Sequence, residues 1–166
     1  MRYWTGSAVA LFLALMQASS VEEFKVLGVT PNLLLVLLVS WLVVRGLDDV
    51  LPMIAVAGVT IGFVGLQTPG LVLLALLPIA GLGVLRESHV IHSDLLLVLA
   101  FVLAATVTYE LIIVASLMLT GGGLDLLAAV RNAVVPAAIV NLALTPPVYV
   151  VMKLAKPSDR RNRLAY

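Results

Sequence analysis

Apolar residues fall into six long runs along this chain, and the polar residues are bunched into the short breaks between them. A bilayer core of about 30 Å needs roughly 20 apolar residues per helix. On that measure the runs predict spans over residues 3–20, 30–45, 50–67, 69–86, 94–120 and 133–153, of which the second and third are short. Spans three and four are separated only by "QTPG", a tight Pro-Gly turn. Pro78 should kink the fourth span, which neighbours in a membrane bundle can accommodate. The break "GGGLDLLAAVRNA" is different. Its three glycines end the fifth helix, and Leu124, Leu127 and Val130 then recur at helical spacing. A short helix lying on the outer interface and a simple loop both fit this segment.

Composition turns these runs into a fold class. The chain is 62% hydrophobic and 11% charged, with a mean hydropathy of +1.15. A soluble domain carries roughly 45–50% apolar and about 25% charged residues. There are too few charges here to coat a water-facing surface. The expected fold is therefore an all-α integral membrane protein: one bundle of six transmembrane helices over residues 1–153, then a short basic tail over 154–166. No soluble domain fits between the runs, so function must reside in the bilayer or at its two faces.

The net charge of +1 becomes informative only by side of the membrane. Six spans put both termini on one side, together with Arg2, Arg45, Arg86, Lys153, Lys156, Arg160, Arg161 and Arg163. The other side carries only Lys25 and Arg131. This asymmetry predicts cytoplasmic termini, with Tyr3 and Trp4 at the cytoplasmic interface. Arg2, the first run and "QASS" could also be read as a secretory leader. That reading is disfavoured, because losing the first span would put the basic tail outside.

Candidate chemistry is sparse. With no cysteine, neither a disulfide framework nor a thiolate metal site can form. His89 and His92 lie three apart in "RESHVIHSD", at a span boundary, without the His-Glu-x-x-His spacing that puts two imidazoles on one helix face. They read as solvated interfacial side chains. Glu22 and Glu23 read as part of a solvated outer loop. No Gly-x-Ser-x-Gly elbow, P-loop or dinucleotide fingerprint occurs. We therefore expect no catalytic residue, no metal, no cofactor and no nucleic-acid partner.

Two patterns remain. Gly58 and Gly62 form a GxxxG pair with Gly65 on nearly the same face, and Ala10, Ala14 and Ala18 repeat the small-residue idea in span one. Packing within the chain and contact with another protein both fit. In the fifth span, Thr106, Tyr109, Glu110, Ser116 and Thr120 fall within about 120° of arc on a helical wheel. A charged residue in hydrocarbon costs at least ~2.5–3.5 kcal/mol, so Glu110 should face the protein interior, a wet cavity or another subunit. Counted from the outer helix ends, Glu110 and Asn141 lie at similar depth. They are expected to meet, with Thr106 and Tyr109 nearby, and to pin span five to span six. A ligand or partner contact at Glu110 is the other reading.

The first third, "LALMQASSVEEFKVLGVTPNLLLVLLVSWLVVRG", resembles MreD, the rod shape-determining membrane protein family of bacteria. Members pair a first span ending near Gln-Ser with a short outer loop and a Pro-Asp-Leu-Leu-Leu opening of the second span. Pro31, Leu33, Leu34 and Leu35 match, and Asn32 stands where aspartate is usual. "NAVVPAAIVNLALTPPVYVVMKL" is similar to the family's last span, with Asn141, Pro146, Pro147 and Tyr149 at fitting positions. Many members also carry an aspartate after Gly-Leu-Leu in the third span, where this chain reads "GFVGLQTPG". The resemblance implies a non-catalytic scaffold of the cell-elongation machinery in the bacterial inner membrane. Its implied partners are an MreC-like membrane protein and, further out, MreB, RodA and the transpeptidase paired with RodA. A second resemblance, to the substrate-binding subunits of energy-coupling-factor vitamin transporters, rests on six spans, similar length and the alanine repeat in span one.

Overall fold

The second helix, α2 (Leu33–Arg45), has no outward face: every residue from Leu34 to Val43 is buried. It is apolar on all sides, as a helix wrapped by others must be. In the computed structural model its wrapping consists of α1 (Arg2–Ser19), α3 (Leu47–Val64), α4 (Pro69–Glu87), α5 (Asp94–Leu119) and α7 (Val135–Leu154), all of which touch it. A one-turn helix, α6 (Leu126–Ala129), and a π-helical turn over Val130–Val134 lead into α7. The structure describes residues 2–19, 28–65, 68–87, 94–121 and 125–155, with side chains described from Thr5 onward except Glu87. The expectations placed on Glu22, Glu23, Lys25, His89, His92, the side chains of Tyr3 and Trp4, and the tail beyond Ala155 lie outside these residues.

The chain is all-helical, with no strand among the described residues. Four helices are long and apolar enough to cross a bilayer: α3, α4, α5 and the continuous helix Leu126–Leu154. The remaining two, Thr5–Ser19 of α1 and all of α2, are apolar but shorter. α7 runs parallel to α2, joining it at Asn141 near the start of α2 and at Ala155 near its end, so one end of the bundle gathers the N-terminus of α2 and the other its C-terminus, Arg45.

Helix limits follow local chemistry. α2 opens on Asn32, whose side chain caps it, and closes at Gly46, where φ is +104°. α3 starts at once, three residues earlier than its apolar run suggests, with Asp48 and Asp49 in its first turn. Carboxylates are favoured at the positive end of a helix, so polar residues belong to the helix here although not to the hydrophobic run. α4 opens on Pro69, whose missing N–H is no loss at a first helical position. α4 then continues through Pro78.

The segment before α7 is neither a separate interfacial helix nor a loop, and this corrects both expectations. Asp125 caps it, its Oδ1 accepting from Leu127 N at 3.0 Å, and the helix runs from Leu126 into α7. The cause of the π turn is Pro136, which has no N–H to donate to the carbonyl four residues back. One widened turn, with Val135 N donating to Val130 O, carries the helix past that gap without ending it.

Candidate functional site: a polar junction at the start of α2

α2, with 13 residues, rises only about 20 Å, less than a bilayer core, and its start is buried among the other helices. The first turn of any helix leaves N–H groups without intrahelical partners. In hydrocarbon each unsatisfied group costs several kcal/mol. For α2 the missing partners come from its own cap residue and from neighbouring helices. Asn32 Oδ1 accepts from Leu35 N at 3.0 Å, and Gln17 Oε1, from the end of α1, accepts from Leu34 N at 3.1 Å. Asn141, from the middle of α7, accepts from Asn32 N through Oδ1 at 2.9 Å.

The same side chains then bond one another. Gln17 Nε2 donates to Asn32 Oδ1 at 3.0 Å. Asn141 Nδ2 donates to Thr106 Oγ1 of α5 at 3.1 Å, and Thr145 Oγ1 closes the set on Asn141 O at 2.7 Å. Asn32, Thr106, Asn141 and Thr145 are buried. Four helices are thereby tied at one point, and the two amide side chains of Gln17 and Asn141 each use both donor and acceptor.

Among the residues singled out by sequence, Thr106 and Asn141 meet here, and Tyr109 is buried in the adjoining apolar core. Glu110 does not join them. It lies one turn along α5 from Thr106, partly buried, while the Asn141 amide is taken by Asn32 and Thr106. The expected pairing of Glu110 with Asn141 is therefore replaced by Thr106 with Asn141. The cause is the early start of the last helix: beginning at Leu126 instead of 133, it carries Asn141 deeper than a count from 133 implies. Ser116 and Thr120 bond carbonyls of their own helix instead.

Gly58 and Gly62 face α4 of the same chain. A Cβ on Gly58 would meet Leu73 Cγ at 2.8 Å, and one on Gly62 would meet Pro69 N at 2.6 Å. Gly65 does not share this contact. It ends α3, and a Cβ there would strike the Ile61 carbonyl of its own helix at 2.6 Å. Ala10 and Ala14 are also buried within the chain.

At the opposite end, Arg45 lies 4.6 Å over the Trp41 ring and donates through Nη2 to Ala155 O at 3.1 Å. Arg86 ends α4 and Lys153 lies in the last turn of α7 at this same end, whereas Arg131 sits in the π turn at the other. Nearby, Asp49 is buried in the first turn of α3. Within α2, Ser40 Oγ and Trp41 Nε1 are buried without a hydrogen-bond partner among the described residues. No group of three or more His, Cys, Asp or Glu able to hold a metal occurs among the described residues.

Sequence reasoning missed Gln17 and Asp49 and saw Asn32 only as a departure from a motif. An amide at each end of the first loop, flanked by apolar runs, was the available signal for Gln17 and Asn32. Asp49 was signalled by its place just after a glycine at a helix start. Comparison of the chain with models of known families, with characterised proteins and with solved structures yields no match in any of the three.

Proposed function

We propose that this protein is a non-catalytic scaffold subunit of the bacterial cell-elongation machinery, a six-span inner-membrane module that binds an MreC-like protein. One observation supports the reading above the others. Gln17 and Asn32 lie in the first segment that resembles the MreD family, Asn32 at the place where aspartate is usual, and Asn141 lies in the last, and the three converge on one hydrogen-bonded junction. A shared pattern whose parts meet in space is a folding pattern, and here it fixes the start of the central helix. Asn32 in place of aspartate keeps the family's chemistry, because both bonds to its side chain end on Oδ1, an acceptor that aspartate also supplies.

In this reading α1 and α2 cross the membrane with the four longer helices. α2 does so as a buried strut whose N-terminus is hydrated by protein amides in place of water. Arg45, Arg86 and Lys153 mark the cytoplasmic end. Purification of the tagged chain in mild detergent tests the function. An MreC-like protein is expected to come with it. Recovery of an ATPase module in its place would overturn the scaffold reading in favour of a vitamin-transporter subunit.

A further inference from the structure

Glu110 is the one Asp, Glu, Lys or Arg in the interior of a spanning helix among the described residues; the others stand at helix ends or in turns. It lies 16 residues from Asp94, about 24 Å along α5, a depth inside the hydrocarbon if Asp94 marks one boundary. Partly buried and partly open to the side of the bundle, it has no hydrogen bond or ion pair among the described residues. Its neighbour Thr106 is taken by Asn141. An acid left this way in a membrane marks a functional contact by default, because lipid chains offer it nothing.

Leu103 and Leu117 stand seven residues before and after Glu110 and so share its edge of α5, a 20° drift per step apart. Both are exposed, at 42% and 47%. The edge is thus an apolar stripe with one acid at its middle. A second copy packed through this same edge would not complement it. Such a copy would set Glu110 against Glu110, and among the described residues Arg45, Arg86 and Lys153 sit at the far end of the bundle and Arg131 in the π turn. The complement is a helix carrying a donor or a positive charge at that depth.

We propose that the α5 edge of Leu103, Glu110 and Leu117 is the docking surface for one transmembrane helix of the partner protein, and that this helix presents a hydrogen-bond donor or basic group to Glu110. The inference rests on the scaffold reading and names the face the scaffold uses. Helix contact around a satisfied polar pair also fits the energetics of membrane helices, where packing and hydrogen bonds replace the hydrophobic effect.

The test uses the full chain co-expressed with the MreC-like protein. A photo-crosslinking phenylalanine analogue is placed at Leu103, at Leu117, or at Phe63, which is 78% exposed on α3. Adducts with the partner's transmembrane segment are expected from Leu103 and Leu117 and not from Phe63. Glu110→Leu should reduce the co-purified partner about tenfold, and Glu110→Gln, which keeps a donor and an acceptor, should retain it. If the unaltered chain binds no MreC-like protein, the scaffold reading falls and this inference with it. If it binds but cross-links only from Phe63, or joins two copies of the chain through Leu103, the scaffold reading stands and the docking face is wrong. Should Glu110→Leu lower the abundance of the chain itself, the cross-links in the Glu110 chain decide.

Discussion

At the scale of single residues, Asn32 links three helices through its side chain and its backbone N–H. It caps α2, receives the Gln17 amide and offers its own N–H to Asn141. Its side chain acts only as an acceptor in these bonds, which leads to a sharp expectation. Asn32→Asp should preserve folding, measured as the thermal midpoint in detergent, because a carboxylate accepts from the same N–H groups and is favoured at a helix N-terminus. Asn32→Leu should lower the midpoint, reflecting a stability loss of about 1 kcal/mol for the lost cap plus the cost of the stranded Leu35 N–H. Equal losses from both variants would show that Oδ1 is not what holds the start of α2. Thr106 and Asn141 are the next link, and their bond is of the kind measured at about 0.6 kcal/mol between membrane helices.

At the scale of elements, the α3–α4 hairpin rests on close approach. Gly62→Leu should prevent the two helices from closing and reduce folded protein in the membrane, read as monodisperse material after extraction. Gly65→Ala tests a different contact, since a methyl there meets the carbonyl of Ile61 and not α4; it should disturb only the end of α3. Similar damage from both would mean that the glycines act as one face after all. The existence of the helices was legible in sequence because hydrocarbon demands unbroken apolar runs. Their ends were less so. Asp48 and Asp49 look like loop residues until the helix dipole is considered, and the π turn at Pro136 hides that α6 and α7 are one helix. The junction was illegible as a unit: Asn32 and Asn141 are 109 residues apart, and no periodicity links lone polar residues on different helices. Glu110 was visible as an anomaly, but its partner was misjudged because depth was counted from a helix start seven residues too late.

At the scale of the whole molecule, charge is sorted along the bundle. Arg45, Arg86 and Lys153 share one end, and the basic residues of the last eleven positions follow in sequence from that end. A phosphatase reporter active only outside the cytoplasm, fused after Tyr166, should therefore be silent. An active fusion would invert the proposed orientation. From Thr106 to Leu119 the fifth helix continues about 20 Å past the junction, and from Leu126 to Asn141 the last helix descends about 22 Å to reach it.

A bilayer has one thickness, and these helices ask for two. The central helix suits a film of about 20 Å, whereas the 26-residue α5 and the 29-residue helix beside it run to about 39 and 43 Å. At the outer turns of this pair Leu117, Met118, Leu119, Leu126 and Leu127 are apolar and exposed. If those turns stand in hydrocarbon rather than beside Arg131 among the headgroups, lipid beside the pair stretches or the pair leans, at a fraction of a kcal/mol for each Å of mismatch. The protein should then favour thick patches of membrane and carry a collar of extended acyl chains on one flank only. Such a lopsided collar would draw together other proteins with long hydrophobic belts before any specific contact is made.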